Sequence, residues 1–181
     1  MRQSVFVTGS DGHLYNYNWV QGASTSAGLQ GTWDLTDVSG GVVNGGPTIG
    51  VGGVTLLGSP SALYVPSANG AVFEVYVTGS DGHLYEYIFQ STGWVIEDVS
   101  AQAGQPSGTL LAGAPSAFGS GSAGGTGSNG EMDDIYVVTS DGQLAIFTYQ
   151  PSATLIWSFS EQGAPSGESL ASSTARGFAY G

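Results

Sequence analysis

The chain has 181 residues, enough for one domain with a buried core. Its 14 carboxylates are set against two cationic side chains, Arg2 and Arg176, with no lysine, giving a net charge of −12. A potential of that sign repels phosphate backbones and anionic lipid, which argues against nucleic acid and membrane surfaces as partners. Neutral sugars, or a second copy of the chain, are compatible with it.

There is no cysteine, so no disulfide framework and no thiolate metal site is expected. No apolar run approaches the ~20 residues needed to cross a bilayer. The start, MRQSVFVTGS, lacks the hydrophobic segment of a signal peptide; the compartment is left open, with an extracellular setting favoured over others. Glycine is abundant, at 31 residues, but 4 Trp, 9 Tyr and 7 Phe recur in short regular runs, the mark of a folded chain.

The first runs in chain order are SVFVTGS (4–10), HLYNYNWV (13–20) and TWDLTDVS (32–39). A second set follows: GSPSALYV (58–65), FEVYVTGS (73–80), HLYEYIFQ (83–90) and WVIEDVSA (94–101). A third set has the same parts: GAPSAFGS (113–120), DDIYVVTS (133–140), QLAIFTYQ (143–150) and TLIWSFSE (154–161). The Gly/Ser stretch at 119–130 lengthens its first connection. The runs are rich in Val, Ile and aromatics and bounded by Gly, Pro, Ser and Asp-Gly, and none has a sustained helical period. The fold class is all-β.

The repeat is explicit. VTGSDGHLY occupies 7–15 and again 77–85, and a weaker copy, VTSDGQLAI, occupies 138–146. Asp-Gly between such runs predicts a tight primed hairpin turn, with the Asp side chain capping it and the glycine at positive φ. The first set lacks its opening strand, and TARGFAYG (174–181) at the far end supplies one, aligning Phe178 with Phe118. The units are then 1–57 completed by 171–181, 58–112, and 113–170.

Tandem four-stranded units cut out of phase predict the blades of a β-propeller with a closing strand of Velcro type. A trefoil has three repeats but leaves the phase shift unexplained, and a sandwich does not repeat so closely. Propellers have about 4–8 blades, so three cannot close a ring and two copies give six. The expectation is a homodimer in which strand 174–180 of each copy pairs with 4–9 of the other, covering edges that carry no lysine.

The pattern GSPSALYV…VYVTGSDGHLYEYIFQSTGWVIEDVS resembles the blades of bacterial and fungal propeller lectins. It is most similar to the seven-bladed Photorhabdus-type lectins and related actinobacterial repeat proteins, and less so to the six-bladed Aleuria-type fucose lectins. The resemblance covers nearly the whole chain and implies a propeller and glycan binding. The Aleuria-type site uses an arginine on the second strand of the blade; here that strand reads FEVYV or DDIYV and has none.

Candidate chemistry is sparse. Asp11/His13 and Asp81/His83 pair an acid with an imidazole, but no nucleophile motif accompanies them and Gln143 replaces the histidine in the third unit. The two histidines lie on different units, which is not metal-ligand spacing. Glu97–Asp98, Glu131 with Asp133–Asp134, and Asp34 with Asp37 are acidic, yet the D-x-D-x-D-G calcium pattern is absent and they read as solvated. No metal or cofactor is expected. No desolvated acid–base pair is predicted, so enzymatic activity is not expected.

Aromatic residues are the stronger candidates. Trp33, Trp94 and Trp157 recur on the fourth strand, and Tyr15 and Tyr85 begin an aromatic face of the third strand by alternation. Packing between units is the plain reading of these residues. The functional reading is stacking on a sugar ring, with His13, His83, Glu86 and Asp98 hydrogen-bonding its hydroxyls. The function expected is a carbohydrate-binding propeller; the alternative is a self-assembling structural propeller, natural or engineered, with no specific ligand.

Overall fold

The computed structural model describes residues 3–25, 28–39, 41–42, 48–50, 53–65, 72–90, 93–119, 133–150 and 156–171. Three antiparallel sheets dominate. The first contains β1 (Gln3–Thr8), β2 (Leu14–Thr25) and β3 (Gly28–Asp37), in that order. A two-stranded ribbon, β4 (Gly41–Val42) and β5 (Thr48–Ile49), leads on from it. The second sheet runs β6 (Leu56–Val65), β7 (Val72–Gly79), β8 (Leu84–Gln90) and β9 (Gly93–Asp98). The third runs β10 (Ser116–Gly119), β11 (Asp133–Val138), β12 (Leu144–Gln150) and β13 (Ile156–Gln162).

Each sheet is a meander, every strand pairing with the one before it in sequence. The first has three strands among the described residues and the others four, as the runs predict. The strand expected at 174–180, and Glu131, lie outside the described residues. Two features were not foreseen. The β4–β5 ribbon is one; the other is a five-residue helix, α1 (Val99–Ala103), directly after β9. Asp98 caps α1, its carboxylate accepting from Ala101 N at 2.8 Å, and Gly104 ends it at φ 70°. A segment this short shows no helical period, so only its caps could have marked it.

Alternation explains how the sheets stack. Val75, Val77, Tyr85, Tyr87 and Ile96 point to one side of the second sheet and are buried with Leu14 and Val38 of the first unit and with Leu56 at the start of β6. Tyr76, Leu84 and Val99 point the other way and are buried with Ile135, Val137, Ala145, Phe147 and Trp157 of the third. The middle sheet is thus covered on both faces, through β1 against β6 and β6 against β10. Phe6 meets Trp94 edge-on at 5.7 Å across the first junction, and Tyr76 meets Trp157 in the same way at 6.0 Å across the second.

Polar contacts fix the register of the stack. Ala117 N on β10 donates to Ser61 Oγ on β6 at 3.0 Å, and Thr78 Oγ1 donates to the Gly113 carbonyl at 2.8 Å. Phe147 is fully buried in the second junction. Phe147→Ala should lower the unfolding free energy by about 3–5 kcal/mol, read as a shifted urea midpoint at unchanged slope.

Candidate functional site

The hairpin tip is where the repeat puts its polar residues. Gly9 N donates to His13 O at 2.8 Å and Gly12 N to Gly9 O at 3.0 Å, with Gly12 at φ 77°. Residues 79–83 repeat these bonds, with Gly82 at φ 80°. This is a three-residue loop closed by a left-handed glycine, in place of the two-residue primed turn predicted from Asp-Gly. The aspartate is responsible: Asp11 Oδ1 accepts from His13 N at 3.1 Å and Asp81 Oδ1 from His83 N at 3.2 Å, which ties down the residue after the glycine.

The other aspartate oxygen takes the tyrosine. Tyr15 OH donates to Asp11 Oδ2, and Tyr85 OH to Asp81 Oδ2, each at 2.6 Å. That bond and the His13 amide hold the Asp11 carboxyl below its ordinary range. The same bond pushes the Tyr15 phenol up to about 12. Burial, then the Asp81 bond, raises Tyr85 further. Each tyrosine ring crosses a glycine: a Cβ on Gly79 would lie 2.6 Å from Tyr85 Cε2, 2.5 Å from Asp81 Oδ1 and 2.7 Å from Val54 Cγ1. The third unit solves the same problem differently. There Thr139 stands in the glycine's place and Ala145 in the tyrosine's, and the Thr139 hydroxyl donates to Asp141 instead.

Each histidine meets a second aspartate from the last strand of its sheet. His13 Nδ1 lies 2.8 Å from Asp37 Oδ2, and His83 Nδ1 lies 2.9 Å from Asp98 Oδ2. Asp37 Oδ1 also accepts from Ser39 N and Ser39 Oγ, at 3.0 and 2.6 Å. Burial pushes the Asp37 carboxyl up, but the bonds from Ser39 and His13 outweigh it and the net shift is down. The bond to Asp37 raises the His13 imidazole above its ordinary value of 6.5. With Nδ1 held by a carboxylate, Nε2 is the nitrogen left to meet a ligand. Both pairs are partly open to solvent.

These pairs do not form an acyl-transfer relay. Ser39 gives its proton to the carboxylate that already holds His13, and Ser100 gives its own to Gln105 Oε1. In the third unit Gln143 Oε1 instead accepts from Ala164 N at 2.9 Å. Among the described residues no group of three or more His, Asp or Glu side chains is placed to hold a metal ion. No described helix is long and apolar enough to cross a membrane.

The residues singled out from sequence are not gathered into one place. His83, Asp98 and Tyr85 share the hairpin end of the second sheet, and His13 and Tyr15 the matching end of the first. Trp94 lies on the same face as Asp98 but four residues away along β9, about 13 Å. It is half-buried against Phe6 and Phe89, and cannot share a monosaccharide with His83. Trp157 is 5% exposed and lies among Tyr76 and Tyr149, so it presents no open face for stacking. Tyr85 is wholly buried. Trp33, at 47% exposed, keeps an open face beside Trp19.

Glu86 belongs to the opposite face and is buried in the second junction. It accepts the Tyr76 hydroxyl at 3.1 Å, and the same hydroxyl lies 3.3 Å from Glu74 Oε2. Asp133, expected to be solvated, is buried as well. Desolvation, with Glu74, Glu97 and Asp133 nearby, pushes the Glu86 carboxyl well above its ordinary range, against the pull of the Tyr76 bond. Tyr76 is raised by burial and then by Glu86; Tyr149, facing the same acids, also rises, chiefly by burial. Asp37 and Ser39 were not assigned to the site from sequence. The repeat could have found them, since Asp37 stands to His13 as Asp98 stands to His83.

Comparison with protein-family models finds no match, and comparison with curated proteins finds no relative.

Two predictions follow from this geometry. Gly79→Thr alone should cost about 2–3 kcal/mol by driving a Cβ into Tyr85 and Asp81. Adding Tyr85→Ala, the pairing the third unit uses, should return about 1 kcal/mol as a coupling energy in a double-mutant cycle. Glu86 binds its proton more tightly in the folded chain than in the unfolded one. Its contribution to stability is therefore full below the ordinary 4.5 and lost as pH rises through the raised folded value. Glu86→Gln keeps an acceptor for Tyr76 and cannot ionise. It should gain stability over the parent as pH rises, with the two urea-unfolding profiles converging in acid.

Proposed function

We propose that the three meanders are blades of a β-propeller and that the protein is a non-enzymatic lectin binding neutral glycans at the hairpin ends of its blades. The propeller reading is supported by sequential antiparallel meanders of three, four and four strands stacked face to face, with β1 and β10 both packed against β6. It agrees with the resemblance to propeller-lectin repeats.

One observation carries the binding reading: the partly open His–Asp pair that recurs at the same place on two adjacent sheets. A carboxylate fixes each imidazole, so Nε2 and the free carboxylate lone pairs are preorganised for sugar hydroxyls, without metal or cofactor. The third unit has Gln143 and Glu161 at these positions, so two sites per chain are expected. Each is weak alone, and a ring carrying several gains by multivalency.

The alternative, a self-assembling structural propeller with no ligand, is favoured by the open apolar face of the first sheet, where Trp33 lies. A glycan array of neutral and fucosylated sugars decides between them. The lectin reading expects binding that falls by about 100-fold or more in the double variant His13→Ala/His83→Ala, since both sites of the chain and the avidity between them are weakened together, with the melting temperature little changed. A silent array for the parent protein would sink the lectin and leave the structural reading.

A further inference from the structure

The two junctions inside the chain are copies of one interface. At the first, Phe6 and Leu14 of the first sheet meet Val75, Val77, Tyr87 and Ile96 of the second. At the second, Tyr76 and Leu84 of the second sheet, the counterparts of Phe6 and Leu14, meet Ile135, Val137, Phe147 and Phe159 of the third. Every unit thus has a receiving face and an inserting face. The first sheet's inserting face has nothing against it among the described residues. Val5, Val7, Tyr17, Trp33 and Leu35 line it, and Leu35 is 55% exposed where its counterpart Ile96 is 4% exposed.

The backbone repeats the same vacancy. Leu56 N donates to the first tip at Gly12 O, and Thr55 O accepts from the second tip at Ser80 N, at 2.9 and 2.7 Å. Leu111 N and Leu110 O bridge Gly82 O and Ser140 N in the same way, at 3.0 and 2.7 Å. Leu170 N then donates to Gly142 O at 2.9 Å, which sets the Ser169 carbonyl as the next acceptor. Among the described residues nothing donates to that carbonyl, and nothing accepts from Ser10 N, the counterpart of Ser80 N and Ser140 N.

We propose that the inserting face of the first sheet docks on the third sheet of a second copy of this chain, with Ser10 N donating to that copy's Ser169 carbonyl. The occupant is argued from continuity with the two junctions already formed. The surface that would meet Val5 and Leu35 is the third sheet's receiving face, with Tyr136, Leu144 and Ile146 half-buried on it in the positions of Tyr76, Leu84 and Glu86. At Ile146 that face is apolar where the second sheet carries Glu86, while Asp134 and Thr148, bonded to each other, lie further along it. Two copies joined in this way twice form a closed twofold pair of six units. The inference does not depend on glycan binding and is read without sugar.

Sedimentation of the parent chain across micromolar concentrations tests it, with Leu35→Glu and Ile146→Glu as variants. The parent should run as a dimer. Each variant should dissociate with a constant raised by about 100-fold or more, since a charge is buried in the contact. Leu35 is open in the single chain, so Leu35→Glu should keep the parent's near-ultraviolet circular dichroism. Mixing the two variants should restore dimer, because one of the two contacts in the mixed pair is then free of both charges. A monomeric parent overturns the proposal. So does a dimer that Leu35→Glu leaves intact, a dimer that Ile146→Glu leaves intact, which would mean first faces pairing with first faces, or a mixture that does not reassociate.

Discussion

Each of the three Asp-Gly hairpin tips is held by the segment that follows its own sheet, and the placing of the sheets follows from that clasp. The carbonyls of Gly12, Gly82 and Gly142 accept from Leu56, Leu111 and Leu170, so the departing chain must pass directly over the tip glycine. There is no room there for a side chain: a Cβ on Gly12 would lie 2.6 Å from Thr55 Cβ, and one on Gly142 2.6 Å from Ser169 Cβ. A net ~1 kcal/mol for each such hydrogen bond is modest. The geometric effect is larger, because the clasp sets where the next sheet starts and which of its faces turns back toward the one before.

Once that direction is set, strand alternation decides burial at every repeated position. The same residue in three units then has three environments. Trp157 is buried because a sheet precedes its own, Trp94 is half-buried at the first junction, and Trp33 is open because no described sheet lies before it. The recurrence of tryptophan is therefore explained by inter-sheet packing. The one exposed copy holds the same register position as the others and differs from them in its place in the stack.

This also separates what the sequence makes legible from what it does not. The strands and their grouping into sheets, with three strands in the first among the described residues, follow from apolar runs and Asp-Gly punctuation, which are local signals. The loop length at the tips depends on whether Asp11 captures the His13 amide, and that is a side-chain choice between two turns of similar pattern. Glu86 and Asp133 were misjudged because a carboxylate on a strand is ordinarily hydrated. Here the second and third sheets close over both residues at their junction, and Tyr76 supplies a buried donor to Glu86. For the site, His83 and Asp98 were legible together, whereas Trp94 and Glu86 were drawn to them by sequence nearness that a strand does not honour.

The third unit serves as an internal control on the repeated tip. It keeps Asp141 and Gly142, the clasp to Leu170 and the same strand register, yet it lacks both histidine and tyrosine. Thr139 and Ala145 replace the glycine–tyrosine contact, so the tyrosine in the other tips is one of two ways to satisfy the same aspartate. Gln143 replaces the histidine and turns its oxygen to the Ala164 amide, so the hairpin closes without any imidazole. The turn accounts for the aspartate, the glycine and the tyrosine, but not for a histidine pinned at Nδ1 by a second carboxylate. The His13–Asp37 and His83–Asp98 pairs instead tie each of these two tips to the last strand of its sheet.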